Sequence, residues 1–196
     1  MTHLLGLTGS IGMGKSTTAQ MFRDAGIPVW DADAAVHALY AKGGKAVPAF
    51  ETHLPQAVVN GAVDRSALKD MLSADPTLIK KLEEIVHPLV AEHRATFLEQ
   101  NKGPLVVLDM PLLFEIGAQD KVSSVLVVTA PADVQRNRVM ARGEMTEELF
   151  AQILDRQLPD AEKRARADHV IETLTLDATR EAVQNLISKI VGAKDA

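Results

Sequence analysis

The chain has 196 residues, of which 46% are hydrophobic and 24% are charged, and its formal net charge is -5. This composition is that of a globular α/β domain with appended lobes and excludes a disordered or membrane-embedded chain. Because the sequence contains no cysteine, it excludes disulfides, thiolate metal sites and a cysteine nucleophile. The negative charge argues against nucleic acid as a partner.

The hydrophobic runs of the chain bear on its location. The segment before Lys15 has no basic region followed by an apolar stretch of signal-peptide length,. No later run approaches the roughly 18 apolar residues of a membrane span. We therefore expect a cytoplasmic protein with no membrane partner, and we expect a monomer.

The first predicted elements are a strand, a loop and a helix. Residues 3–8 form a short apolar run that is typical of a buried parallel strand, and a helical pattern follows from Lys15 to Ala25,. A strand at 27–31 and a helix at 32–41 repeat this order. Further strands are predicted at 104–109, 122–129 and 169–171, and a closing helix at 177–191. Alternating strands and helices predict a parallel five-stranded sheet with helices on both faces.

Two segments interrupt this alternation. Between the second and third strands, 41–102 is mostly helical, and its clearest helices are at 65–72 and 78–100. The stretch 136–166 contains many charges with Gly143 and Pro159, as a mobile exposed flap would. We therefore expect a single unit whose core comprises 1–40, 103–135 and 167–196, with a helical insertion at 41–102 and a lid at 136–166.

The loop after the first strand matches the phosphate-binding pattern G-x-x-x-x-G-K-[ST],. Glycines let the backbone approach a phosphate with positive φ, and a helix start offers free N–H groups. Lys15 adds a charge at the β- and γ-phosphates, and Ser16 supplies a hydroxyl to Mg²⁺. The pattern predicts a P-loop NTPase fold whose ATP site comprises Gly9, Gly12, Met13, Gly14, Lys15, Ser16 and Thr17.

Three aspartates lie where strands end, at the edge that binds ligands in open α/β sheets. Asp31 or Asp33 could face an acceptor hydroxyl, and the alternative is that one of them caps the helix beginning near Ala34,. Asp109 could hold Mg²⁺ through water, and the alternative is an aspartate in a strand-end turn.

Other residues allow two interpretations each. Arg138 and Arg142 are spaced to share one side of a helix, which would suit a triphosphate clamp or a solvated face,. His87 precedes Pro88, which interrupts the helical pattern, so His87 is a structural hydrogen-bonder or a substrate contact. Leu112 lies in an apolar cluster that predicts packing and possible substrate contact.

Several motifs together resemble the dephospho-CoA kinase family. The similar segments are Gly9 to Thr17, Asp31 to Asp33 with His37, Gly61 to Arg65, His87 to Val90, Asp109 to Glu115, and Arg138 with Arg142. The resemblance spans about residues 4 to 173. It implies a nucleotide-binding core, a helical CoA domain and a lid, which correspond to the sheet, the insertion and the flap.

The resemblance also implies an activity. Members of that family transfer the γ-phosphoryl group of ATP to the ribose 3′-hydroxyl of dephospho-CoA, the last step of coenzyme A synthesis. The implied catalytic residues are Asp33 as base, Lys15, and the lid arginines Arg138 and Arg142. The resemblance also implies Ser16 as a Mg²⁺ ligand, and from its position in the sequence we add Asp109 as a second one. The expected substrate contacts are Asp33, His87, Asp109 and Leu112.

Some positions depart from the family pattern. Glu172-Thr173 stand where Asp-Asn is usual, and Gly143 stands where an acidic or amide residue is common, which leaves the nucleotide-base contacts open. The alternatives are another small P-loop kinase, acting on a nucleoside monophosphate or small alcohol, and a regulatory nucleotide switch. A guanine switch is disfavoured, because Asn101-Lys102-Gly103-Pro104 lacks the aspartate of Asn-Lys-x-Asp.

Overall fold

The computed structural model describes residues 2–143 and 145–192. The chain forms two compact units. The first comprises the residues up to Trp30 together with those from Asn101 onward, and the second comprises Asp31–Gln100. The second unit thus includes residues 32–40, which the sequence analysis assigned to the core. The physical reason is that this helix packs on the long helix at Leu78–Gln100.

Strands and helices alternate along the chain. The strands are β1 His3–Thr8, β2 Val29–Asp31, β3 Val58–Val59, β4 Ala62–Val63, β5 Leu105–Asp109, β6 Ser124–Thr129 and β7 His169–Glu172. The helices are α1 Lys15–Asp24, α2 Ala32–Tyr40, α3 Val47–His53, α4 Arg65–Ala74, α5 Leu78–Gln100, α6 Ala132–Met140, α7 Glu147–Asp155, α8 Asp160–Arg166 and α9 Leu176–Gly192.

A five-stranded sheet has the order β2-β5-β1-β6-β7. β1 pairs in parallel with β5 and β6, and β6 pairs in parallel with β7. Every residue of β5 and β6 is buried, because central parallel strands are covered on both faces. The predicted parallel five-stranded sheet is confirmed.

The apolar core of the first unit joins the sheet to α1 and α9. Phe22 of α1 is fully buried in the same cluster as Leu5 of β1. Val183, Leu186 and Ile190 are the buried positions of α9 in this cluster, and their spacing gives the helix one apolar face. This packing fixes where α1 begins relative to β1, and therefore holds the loop between them.

The second unit has a core of its own. Its buried side chains include Phe50, whose ring meets that of Tyr40 edge-on with the centroids 5.3 Å apart. A short hairpin pairs β3 with β4. Its two-residue turn has φ of 54° at Asn60 and 77° at Gly61, and Asn-Gly is the sequence that most favours such a turn.

The long helix α5 spans Leu78–Gln100, as predicted, and it continues through Pro88, where the sequence pattern is interrupted. Proline removes one main-chain hydrogen bond and normally kinks a helix. Here Ile85 and Val86 anchor the preceding turn in the core of the second unit, so tertiary packing outweighs this cost. Although α5 has 23 residues, neither it nor any other helix in the described ranges is long and apolar enough to cross a membrane.

Candidate active site

The glycine-rich loop joins β1 to α1 in a conformation that side chains would disturb. A Cβ at Gly9 would lie 2.7 Å from the Val128 carbonyl oxygen. Gly14 has a φ of 89°, in the left-handed region that favours glycine, and its Cβ would lie 2.8 Å from Thr173 Oγ1,. Gly14 caps α1 without a side-chain hydrogen bond. The N–H groups at the start of α1 therefore remain available to an anion.

A buried ion pair lies beside this helix start. Lys15 Nζ is 2.6 Å from Asp109 Oδ1, and the two side chains are 18% and 2% exposed. An ammonium has three N–H donors, so Lys15 can bind Asp109 and phosphate oxygens together. Ser16 and Thr17 follow in the first turn of α1 and are exposed.

A cavity of about 230 Å³ opens at the loop. It is lined by Gly12, Gly14, Thr17, Arg138, Arg142, Thr173–Leu176 and Thr179. Because α6 ends at Met140, Arg142 lies beyond it, and the prediction that the two arginines share one side of a helix was wrong. Gly143, with a φ of 74°, follows in the turn that ends the helix. Both arginines nevertheless line the cavity.

Two glutamines hold the peptide groups of Ile11 in the loop. Ile11 N–H donates to Gln157 Oε1 at 3.1 Å, and Gln135 Nε2 donates to the Ile11 carbonyl at 2.7 Å. These glutamines are 146 and 124 positions away from Ile11. Gln157 thus acts as an acceptor, whereas the buried Gln135 acts as a donor.

We expect the same substitution to have unlike effects at these two sites. Gln157→Glu keeps an oxygen for Ile11 N–H, and we expect it to change the free energy of unfolding by less than about 1 kcal/mol. Gln135→Glu sets a buried carboxylate against the Ile11 carbonyl, and we expect a cost of about 2–3 kcal/mol in urea unfolding at pH 7.5.

The pH dependence provides the control. Burial and the facing carbonyl should raise the pKa of the carboxyl that Gln135→Glu introduces, and the protonated form can donate as glutamine does. The stability of Gln135→Glu should therefore rise as pH falls through the raised pKa, approach that of the parent only near about pH 4.3, the ordinary pKa of glutamate, and be lost again as pH rises. If both substitutions lowered the free energy of unfolding equally, or if the stability of Gln135→Glu did not recover at low pH, the assigned hydrogen bonds would be contradicted.

A second buried charge pair anchors α8. Lys163 is fully buried, and its Nζ lies 2.8 Å from Glu115 Oε1. The contact is a charge pair without good hydrogen-bond alignment, and Nζ has no hydrogen-bond partner within the described residues. Burial raises the pKa of Glu115, but the interaction with Lys163 and the hydrogen bond from Leu158 N–H outweigh it and hold that pKa below the usual range.

Removing the charge of Glu115 should destabilise the protein strongly. Glu115→Gln leaves the Lys163 ammonium buried without the carboxylate that it pairs with, and we expect a loss of about 3 kcal/mol in urea unfolding at pH 7. The control is Glu162→Gln, which removes an exposed ion pair with Arg166 and should cost less than about 0.5 kcal/mol.

Acid titration tests the same pair. Because the folded pKa of Glu115 is lowered, its contribution is fully present above about pH 4.3 and is lost as pH falls through the lowered value. Glu115→Gln should lack that part of the acid sensitivity. A variant with the parent's stability and acid profile would show that the ion pair does not stabilise the fold.

The remaining predicted residues have varied positions. Met13 is buried in the core of the first unit and accepts the Ala130 N–H at its sulfur. Leu112 is 44% exposed in the segment after β5. In the second unit, Asp31 caps α2 by accepting the Ala34 N–H at 2.9 Å, whereas Asp33 in α2 and His87 in α5 are exposed.

Sequence reasoning missed several residues of this site. Gln135, Gln157 and Lys163 are not part of any recognised pattern, and Thr173 was noted only as a departure from one. Their hydrogen bonds and ion pairs reach across the chain to groups that no local pattern identifies. The sequence offered only an indirect indication of these residues, namely that a polar side chain in an otherwise apolar environment requires a hydrogen-bond partner.

The sheet, the glycine loop and the start of α1 define a P-loop NTPase fold with a phosphate site. The sequence model of the dephospho-CoA kinase family matches residues 3–177. The chain therefore belongs to the dephospho-CoA kinase family, a family of kinases with a nucleotide substrate.

Individual relatives agree with this assignment. The chain is 56% identical over 192 residues to a dephospho-CoA kinase of Cereibacter sphaeroides, covering 98% of both sequences. A Thermus thermophilus protein of known crystal structure is 36% identical, with a TM-score of 0.85 over 96% of this chain and 97% of that one. A Campylobacter jejuni dephospho-CoA kinase, 24% identical, shares the fold with a TM-score of 0.71 over 99% and 100% of the two chains.

Proposed function

We propose that the chain transfers the γ-phosphoryl group of ATP to the ribose 3′-hydroxyl of dephospho-CoA, giving coenzyme A and ADP in the last step of coenzyme A biosynthesis. The observation that carries this proposal is the family match along residues 3–177. The glycine loop, the ion pair of Lys15 and the cavity with two arginines support the ATP half of the reaction.

On the donor side, we assign the phosphates to the loop from Gly9 to Thr17. Lys15 supplies positive charge at the β- and γ-phosphates. Mg²⁺ would bind through the Ser16 hydroxyl and, by way of water, the Asp109 carboxylate, because hydroxyl and carboxylate oxygens are ligands that it prefers. When bound, the ion neutralises charge on the transferred group.

On the acceptor side, we assign Asp33 as the base that orients the 3′-hydroxyl and takes its proton. An exposed carboxylate suits this task, since a loose transition state asks only for a base within hydrogen-bond reach,. His87, Asp109 and Leu112 are proposed substrate contacts.

The segments receive functions in the same proposal. The insertion at 41–102 is the proposed CoA domain, and 136–166 is the proposed lid. Arg138 and Arg142 would bring positive charge to the transferred phosphoryl group. Their planar guanidinium groups suit this role, because each can donate two parallel hydrogen bonds to phosphate oxygens. We further propose a cytoplasmic monomer without nucleic acid or membrane partners, which gel filtration with light scattering would test in part.

An ADP-release assay tests the reaction against its alternatives. The acceptors are dephospho-CoA, adenosine monophosphate, shikimate and water, each with ATP and Mg²⁺. We expect turnover with dephospho-CoA to exceed that with the others by at least about 10²-fold, and mass spectrometry to find the new phosphate on the 3′-oxygen. Faster turnover of another acceptor would identify a different small-molecule kinase, and ATP binding without any acceptor would favour a nucleotide switch.

A further inference from the structure

Thr173 lies at a junction of three parts of the first unit. It follows β7 directly and is 5% exposed. Its Oγ1 lies 2.8 Å from the Met13 carbonyl and 3.3 Å from the Thr129 carbonyl. The Thr129 carbonyl already accepts the main-chain N–H of Thr173 at 2.9 Å. Because a hydroxyl has a single proton, we assign that proton to the Met13 carbonyl.

The same residue holds Arg138 at two points. Arg138 Nη1 donates to Thr173 Oγ1 at 2.9 Å, and Nη2 donates to the Thr173 main-chain carbonyl. A guanidinium has five N–H donors, so this double contact fixes the plane of Arg138 and leaves other donors for a ligand. Arg138 and Thr173 both line the cavity at the loop.

The hydroxyl therefore joins the arginine to the phosphate loop. Met13 immediately precedes Gly14, where the backbone turns into α1 with a φ of 89°. A Cβ at Gly14 would lie 3.3 Å from Thr173 Cγ2 as well as 2.8 Å from Oγ1, so the side chain packs directly on that turn. The β-branched side chain has few rotamers, which suits it to hold two partners in fixed relation.

We propose that Thr173 is a positioning residue, whose hydroxyl aligns Arg138 with the N–H groups of the phosphate loop so that both meet the phosphates of ATP together. The inference rests on the proposed function only in placing those phosphates at the loop. A side chain ordered before binding costs less entropy when the ligand arrives. Losing the hydroxyl should therefore weaken nucleotide binding and turnover through Arg138.

Two substitutions separate the hydroxyl from the shape of the side chain. Thr173→Val keeps the shape and removes both hydrogen bonds of Oγ1, and we expect the Kd for the non-hydrolysable analogue AMPPNP with Mg²⁺ to rise about tenfold. Thr173→Ser retains the hydroxyl and should recover most of that loss. The control is Thr52→Val, which removes an exposed hydroxyl that donates to the Pro48 carbonyl within α3, and it should leave the Kd within about twofold.

A double-mutant cycle distinguishes positioning from general support of the fold. In an Arg138→Met background, Thr173→Val should raise the Kd for AMPPNP by less than about threefold, because the partner that it orients is gone. A tenfold rise in both backgrounds would overturn the proposal, as would a Thr173→Val variant that binds as the parent does. If Thr173→Val does not fold, Thr173→Ala replaces it in the cycle.

The readout keeps this inference apart from the proposed reaction. AMPPNP binding requires no acceptor, so coupling between Thr173 and Arg138 would support the inference even if dephospho-CoA were not phosphorylated. Loss of coupling with normal phosphorylation would refute the inference alone.

Discussion

Lys15→Ala is expected to lower kcat for dephospho-CoA phosphorylation by about 10³-fold, because it removes a fixed positive charge where negative charge develops during transfer. The measurement is ADP release at saturating ATP and dephospho-CoA. The control is Lys189→Ala, which removes an exposed lysine of α9 and should retain the parental rate. A Lys15→Ala rate within a few-fold of the parent would refute the assignment of the phosphate loop.

The ion pair adds a second consequence to this substitution. Asp109 is 2% exposed, so Lys15→Ala leaves its carboxylate buried without that partner. We expect the free energy of unfolding to fall by about 2 kcal/mol. Adding Asp109→Asn should restore stability, and only the free energy of unfolding is compared in this double variant, because Asp109 is itself a proposed Mg²⁺ ligand.

Asp33→Asn is expected to lower turnover by about 10² to 10⁴-fold, the span typical of a positioned acid-base group. Asparagine keeps the size of the side chain and removes the basic oxygen. Stability should not change, because Asp31, and not Asp33, accepts the Ala34 N–H that caps α2. Melting temperature and turnover are measured on the same preparation.

Asp177→Asn is the matched control for Asp33→Asn, since Asp177 is likewise an exposed aspartate in the first turn of a helix. It should retain both stability and rate. An Asp33→Asn protein that is stable and turns over at a near-parental rate would remove Asp33 from the proposed mechanism.

The sheet could be predicted because its strands are short apolar runs in a regular alternation with helices. Residues 105–109 and 124–129 are continuous runs buried along their whole length, and such runs have few other stable placements than a parallel sheet. The tight loop after β1 could also be predicted, because Gly12 and Gly14 have positive φ, a backbone conformation that favours glycine.

Local sequence signals were least informative where tertiary packing decides the structure. Pro88 is a strong local signal against a helix, but neighbouring core contacts carry α5 through it. Arg142 has helical spacing from Arg138, yet α6 ends between them at Met140. The cap of α2 could not be assigned between Asp31 and Asp33, because both have the right chemistry and only the backbone at Asp31 is extended as a cap requires,.

The order of strands in the sheet bears on how the chain is made. β1 lies between β5 and β6, so the ribosome must produce more than a hundred residues before β1 finds either partner. The second unit is complete once Gln100 has emerged, and it can fold first. Because synthesis proceeds at about 5–20 residues per second, the apolar segment at 3–8 is made several seconds before the strands that it pairs with. During translation, that segment is an unpaired apolar strand that needs protection from aggregation.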